Sequence, residues 1–202
     1  MYYVYILKRN KRRIGKSVAG FTLVELLVTI TIFSVVIAIT AAIFFSSVQS
    51  QRKNLASQEL TSQVGYVAEY ISRALRMAQK DMDGTCIPSR TNYESIGVEE
   101  KAVRFLMYDH DIDGNICHEL RLYETSIQEL RSTDERYENF GAPLYLTSPS
   151  LIVNNAKFVV VGESQDDDIQ PRVTILMEIQ GQEESSMRLQ TTVSQRNLDI
   201  RR

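Results

Sequence analysis

Glu25 is the one ionisable side chain between Lys16 and Arg52. It sits near the start of a run from Phe21 to Phe45 in which 19 of 25 residues are apolar; the others are Thr22, Thr29, Thr31, Ser34, Thr40 and Glu25 itself. A carboxylate at bilayer depth costs roughly 2.5–3.5 kcal/mol on insertion scales, so it calls for a cationic partner. Three other groupings could carry chemistry. Asp109-His110-Asp111-Ile112-Asp113-Gly114 matches the opening of a calcium loop, where alternate oxygen ligands converge on one cation. Leu120 stands where a helix–loop–helix site needs glutamate, and the flanks are strand-like. Asp109, Asp111 and Asp113 are therefore either calcium ligands or an Asp-rich hairpin turn, and calcium is the only cofactor the sequence suggests. Asp166-Asp167-Asp168 forms a second acidic stretch, read as a solvated loop. Cys86 and Cys117, the only cysteines, are either a disulfide or two buried thiols. Catalytic signatures are lacking: there is no G-x-S-x-G and no H-E-x-x-H, and only His110 and His118 are available as imidazole bases. The expectation is a protein that is not an enzyme.

The elements around these residues follow from charge and periodicity. The net charge of −2 over 202 residues conceals three blocks. Residues 1–20 carry Lys8, Arg9, Lys11, Arg12, Arg13 and Lys16 and no acid. Residues 21–45 carry Glu25 alone, and residues 46–202 carry 17 bases against 24 acids. As a helix, 21–45 would extend about 37 Å, enough to cross a hydrocarbon core of about 30 Å. It is too long for the apolar core of a cleaved secretory signal and has no clean small-residue cleavage site. The basic flank would stay cytoplasmic, with the C-terminal part exported. Leu60, Val64, Val67, Ile71, Leu75 and Ala78 recur at helical spacing, predicting an amphipathic helix over 46–80 that continues the first. Beyond it, residues 81–202 read as strands: Val103–Asp109 and Cys117–Glu124 about an Asp113-Gly114-Asn115 turn, then Leu144–Leu146, Ala156–Val161, Arg172–Ile179 and Met187–Ser194. The unbroken run Phe158–Val161 reads as a central strand. The fold class is α+β, one long N-terminal helix packed on an antiparallel sheet.

The junction reads Lys16-Ser17-Val18-Ala19-Gly20-Phe21-Thr22-Leu23-Val24-Glu25-Leu26-Leu27-Val28. A basic segment followed by Gly-Phe-Thr-Leu-x-Glu-Leu-Leu-Val at the head of an apolar helix closely resembles the N-terminus of type IV prepilins and type II secretion pseudopilins. That resemblance implies a pilin-like fold and a basic leader peptide over 1–20. It implies a prepilin peptidase that cuts after Gly20 and N-methylates Phe21, and it makes Glu25 the residue used for subunit assembly. The implied partners are that peptidase and methyltransferase, other pilin or pseudopilin subunits, an inner-membrane assembly platform and the lipid bilayer. No nucleic-acid partner is implied directly. The implied location is a single-pass inner-membrane protein with a cytoplasmic N-terminus, later extracted into a periplasmic or surface filament by a separate ATPase.

Electrostatics supports the same assignment. Cleavage after Gly20 would create an α-ammonium on Phe21, four residues from Glu25 and so on the same helical face. The Glu25 carboxylate could then pair with that amine or with the amine of a neighbouring subunit, fixing helix register. Thr22, Thr29 and Thr40 either help close helix approach or bond their own helix carbonyls. Ala42 stands where many major pilins carry proline, and no cysteine pair lies near the C-terminus, features that favour a minor subunit. The stretches 170–175 and 189–197 resemble the ends of J-type pseudopilins and W-type pilins. The rival reading is a membrane-anchored exported enzyme or binding protein unrelated to filaments.

Overall fold

The computed structural model describes residues 20–110, 112–133, 139–163 and 169–196. A single α-helix, α1, spans Leu23–Arg76. The chain divides into two units, one ending at Val48 and the other beginning at Gln49.

In the first unit every residue from Gly20 to Ser47 is exposed, including Phe21, Leu23, Phe33, Phe44 and Phe45. This part of α1 is long and apolar enough to cross a membrane, and none of that apolar window is buried. Its hydroxyls do not compete with the helix. Thr29 donates to Leu26 O and Thr31 to Val28 O, both at 2.8 Å; Ser34 donates to Ile30 O at 2.8 Å and Thr40 to Val36 O and Ile37 O at 3.0 Å. Such bonds satisfy a hydroxyl inside an apolar surface without an external partner. Of the two readings of Thr29 and Thr40, these bonds realise the local one.

In the second unit the predicted stripe is the buried face of α1: Leu60, Val64, Val67, Ile71 and Leu75 are all at most 2% exposed. The helix ends at Arg76, not near residue 80. Ala78–Gln79 instead forms β1, pairing antiparallel with Met107 and Leu106. Ala78 is buried as the stripe predicted, but in a strand. The end of the helix is satisfied by tertiary bonds: the Tyr93 hydroxyl donates to Leu75 O at 2.7 Å and Arg196 N to Arg76 O at 3.0 Å. Those partners occupy the carbonyls that a continuing helix would use.

Two antiparallel sheets meet this helix, where one was expected. The larger contains β1, β2 (Glu94–Ile96), β3 (Ala102–Asp109), β4 (Gly114–Tyr123), β5 (Ser126–Arg131) and β6 (Leu144–Tyr145). Its order is β1-β3-β4-β5-β6, with β2 also on β3. The smaller sheet has the order β7-β8-β9, formed by Ile152–Val161, Arg172–Gln180 and Ser186–Ser194. One core joins them: Tyr93, Val103, Phe105, Leu120 and Ile127 from the first sheet and its approach meet Phe158, Val173, Ile175 and Ile179 from the second against the α1 stripe.

Three expectations are corrected. Phe158–Val161 lies in β7, an edge strand rather than a central one; Phe158 and Val160 face the shared core, and the Ser95 hydroxyl of the larger sheet reaches Phe158 O at 3.5 Å. The β3–β4 turn falls earlier than 113–115, because Gly114 and Asn115 already pair with Asp109 and Tyr108. Strand β5 was not anticipated. Its turn, Glu124-Thr125, lacks glycine and asparagine, and Glu124 itself adopts the left-handed φ of +52°.

Leu75 is fully buried where α1 meets both sheets. Leu75→Ala is expected to destabilise the folded chain by about 2–5 kcal/mol. A lower denaturation midpoint at unchanged m-value, followed in the full-length protein in detergent, checks this.

Candidate processing site and the staples of the β-domain

The N-terminal junction is built around the first turn of α1. Thr22 precedes the helix; its carbonyl accepts Leu26 N at 3.1 Å and its hydroxyl accepts Glu25 N at 3.3 Å. Thr22 is thus the N-cap and Glu25 the third helical residue, the spacing of a capping box. Gly20 and Phe21 lie outside the helix, and Phe21 is 79% exposed. Among the described residues the Glu25 carboxylate has no hydrogen-bond or ion-pair partner. The negative charge sits in the first turn, where the helix dipole favours it. This arrangement offers an exposed, non-helical peptide bond followed by a carboxylate that is unpaired among the described residues. Thr-x-x-Glu was readable in the sequence as a cap signal, but the motif was read for assembly alone.

Cys86 and Cys117 are joined in a disulfide, with Cα atoms 5.6 Å apart. The bond crosses from the 81–91 loop to β4 and is packed with Ile87 and Leu106. Cys117 and His118 face opposite sides of β4, as strand alternation requires. The same loop is organised by Asp81, 1% exposed. Its carboxylate accepts the N–H groups of Asp83 at 3.0 Å, Gly84 at 2.8 Å, Cys86 at 2.7 Å and Ile87 at 3.1 Å. Burial pushes the Asp81 pKa up, but the four donors outweigh it and hold it below the ordinary carboxylate range. Gly84 adopts φ +72°, and a Cβ there would press on Ser89 at 3.2 Å.

A second buried acid joins α1 to the larger sheet. Glu129 Oε1 lies 2.8 Å from His118 Nδ1, and Oε2 accepts the Tyr70 hydroxyl at 2.6 Å and Arg131 at 3.2 Å. His118 is fully buried and stacked on Phe105 with ring centroids 5.5 Å apart; its Nε2 has no hydrogen-bond partner among the described residues. Burial raises the Glu129 pKa, but His118, Tyr70 and Arg131 together hold it below the ordinary value. Tyr70 is shifted up, by burial first and then by the adjacent carboxylate. Sequence reasoning missed this group because Glu129 lies on the unanticipated β5.

The Asp-rich turn is placed only in part. Asp109 ends β3 opposite Gly114, and Asp113, with φ +51°, accepts the Tyr108 hydroxyl. Asp111 and Asp166–Asp168 lie outside the described residues. Among the described residues no three His, Cys, Asp or Glu side chains gather as a metal site.

With this geometry in hand, the comparisons with known proteins are few. Residues 15–41 match the prokaryotic N-terminal methylation motif, the signature of type IV pilins and pseudopilins. No curated protein and no solved structure matches the chain. The match covers the head of the chain and is what type IV pilin and pseudopilin precursors carry; the long N-terminal helix packed on antiparallel sheets is a pilin-like α+β architecture, and its apolar first part is consistent with a membrane-anchored, exported protein. The pilin-type motif points to a structural protein processed by a prepilin peptidase and assembled with other pilins.

Two predictions follow from the staples. The Cys86–Cys117 bond closes a separation of 31 residues. Its loss in the C86S/C117S double variant is expected to cost about 3–4 kcal/mol, read as a lower melting temperature that reductant no longer changes. Asp81 and Glu129 both have depressed pKa values, so their stabilisation is present above the unfolded carboxylate range, near pH 4, and is lost as pH falls through the lower folded values. Melting temperature should fall steeply between about pH 5 and pH 2, and Asp81→Asn should flatten part of that slope.

Proposed function

We propose that this protein is a minor structural subunit, a minor pilin or pseudopilin, of a type IV pilus or type II secretion-type filament. A prepilin peptidase cuts it after Gly20 and N-methylates Phe21. The observation that carries this reading is the coincidence of the matched motif with an exposed, non-helical Gly20–Phe21 bond at the head of an uncovered apolar helix. The precursor resides as a single-pass inner-membrane protein with its basic leader in the cytoplasm and its β-domain exported. The disulfide supports an oxidising location for that domain. An assembly platform then moves the subunit into a periplasmic or surface filament, with α1 in the core.

Assembly depends on the new N-terminus. The Phe21 amine keeps its protonation after methylation and supplies the cation that Glu25 lacks, in its own subunit or in a neighbour. The neighbouring pair fixes register between helices whose apolar surfaces have no other directional contact.

Glu25→Gln is expected to leave cleavage intact but reduce incorporation into filaments at least tenfold, scored by co-sedimentation with sheared filaments. Wild-type incorporation by the variant would remove the register role of Glu25.

A further inference from the structure

The cap of α1 lies two residues beyond the proposed cleavage point, and its bonding has a consequence for the peptide bond that is cut. In an α-helix each N–H bonds the carbonyl four residues back. If α1 began earlier, Val24 N–H would bond the carbonyl of Gly20, and Glu25 N–H would bond the carbonyl of Phe21. Apolar surroundings favour that extension, because an unpaired backbone N–H there costs several kcal/mol. In the structure Glu25 N–H is instead taken by the Thr22 hydroxyl at 3.3 Å, and the first backbone bond of the helix is Leu26 N to Thr22 O at 3.1 Å. The carbonyls of Gly20 and Phe21 stay out of the helix ladder.

We infer that Thr22 is a positioning residue for processing: its hydroxyl stops α1 at the N-cap so that the Gly20 carbonyl remains free for hydrolysis. This rests on the proposed cleavage after Gly20. In that step water adds to the Gly20 carbonyl carbon and the Gly20–Phe21 C–N bond breaks. Gly20 leaves as a carboxylate holding the water oxygen, and both protons of that water end on the Phe21 nitrogen, which becomes an α-ammonium. A carbonyl held as a helical acceptor is turned along the helix axis and has its lone pair engaged. A carbonyl outside the ladder can take the donors that stabilise a developing oxyanion. Gly20 and Phe21 themselves are also non-helical and exposed, the condition under which segments are cut.

The same cap gives Glu25 a favourable setting before cleavage. Its carboxylate lies in the first turn, at the positive end of the helix, in the precursor that still lacks a free Phe21 amine. Cleavage then replaces a partial charge with a full one.

The test compares full-length precursors carrying Thr22→Ser, Thr22→Asn, Thr22→Val and Thr22→Ala, cut by prepilin peptidase in membranes and followed by mass. Ser and Asn keep an N-cap acceptor, whereas Val keeps the shape of Thr without it. The expected result is cleavage within about twofold of wild type for Ser and Asn, and about fivefold slower for Val and Ala, the factor that one lost cap represents. An unchanged melting temperature of the β-domain in each variant confirms that folding is not the cause. Val cleaved at the wild-type rate overturns the inference. Asn as slow as Val also overturns it, because the peptidase would then be reading the hydroxyl directly. A wild-type precursor left uncut beside an active peptidase instead refutes the proposed processing itself.

Discussion

A helical segment that is apolar on every side and exposed on every side must be covered by something, and between Phe21 and Phe45 its one ionisable side chain is Glu25. Everything N-terminal of the β-domain is arranged around that constraint. Lipid covers the apolar surface without specificity, since acyl chains are as apolar as leucine. The hydroxyls are silenced by their own helix carbonyls and give little direction. One carboxylate in low dielectric gives much more, because its pairing with an ammonium is strong and its failure to pair is costly. On the proposed reading, proteolysis after Gly20 would release an amine four residues away and turn that liability into an assembly signal.

The β-domain solves a different problem. Its core is continuous from the α1 stripe through both sheets, yet some of its connections are long, among them 80–93 between β1 and β2. Three devices hold the irregular parts. The disulfide and the Asp81 carboxylate fix the 81–91 loop against β4. Glu129 ties α1, through Tyr70, to the middle of the larger sheet. Each buried acid is fully engaged by donors, which is the condition for a buried charge to stabilise rather than disrupt. These groups make the domain a firm support for the part of the helix packed on it.

Much of this was legible because periodicity and local chemistry agree. The stripe from Leu60 to Leu75 announced its buried face, and the basic, apolar and acidic blocks announced a membrane-directed chain. What escaped was set by distant partners. The helix stops at Arg76 because Tyr93 and Arg196 claim its last carbonyls, a choice made by residues far along the chain. Strand β5 is rich in Gln, Glu and Arg and turns on a glutamate, so neither alternation nor turn residues betrayed it. Phe158–Val161 looked central because it is apolar on both faces, but β7 pairs only with β8, and it is Phe158 and Val160 that face the core shared with the larger sheet. Glu129 and His118 become a pair only through the β4–β5 hairpin.

The central claim is that the precursor exists to be cut at one bond and that the new amine is what Glu25 awaits. The most direct measurement is mass spectrometry of the N-terminus of the protein purified from membranes of cells with an active prepilin peptidase. The account predicts a chain that begins at Phe21 and carries one added methyl group on its amine. A chain that still begins at Met1 would contradict it.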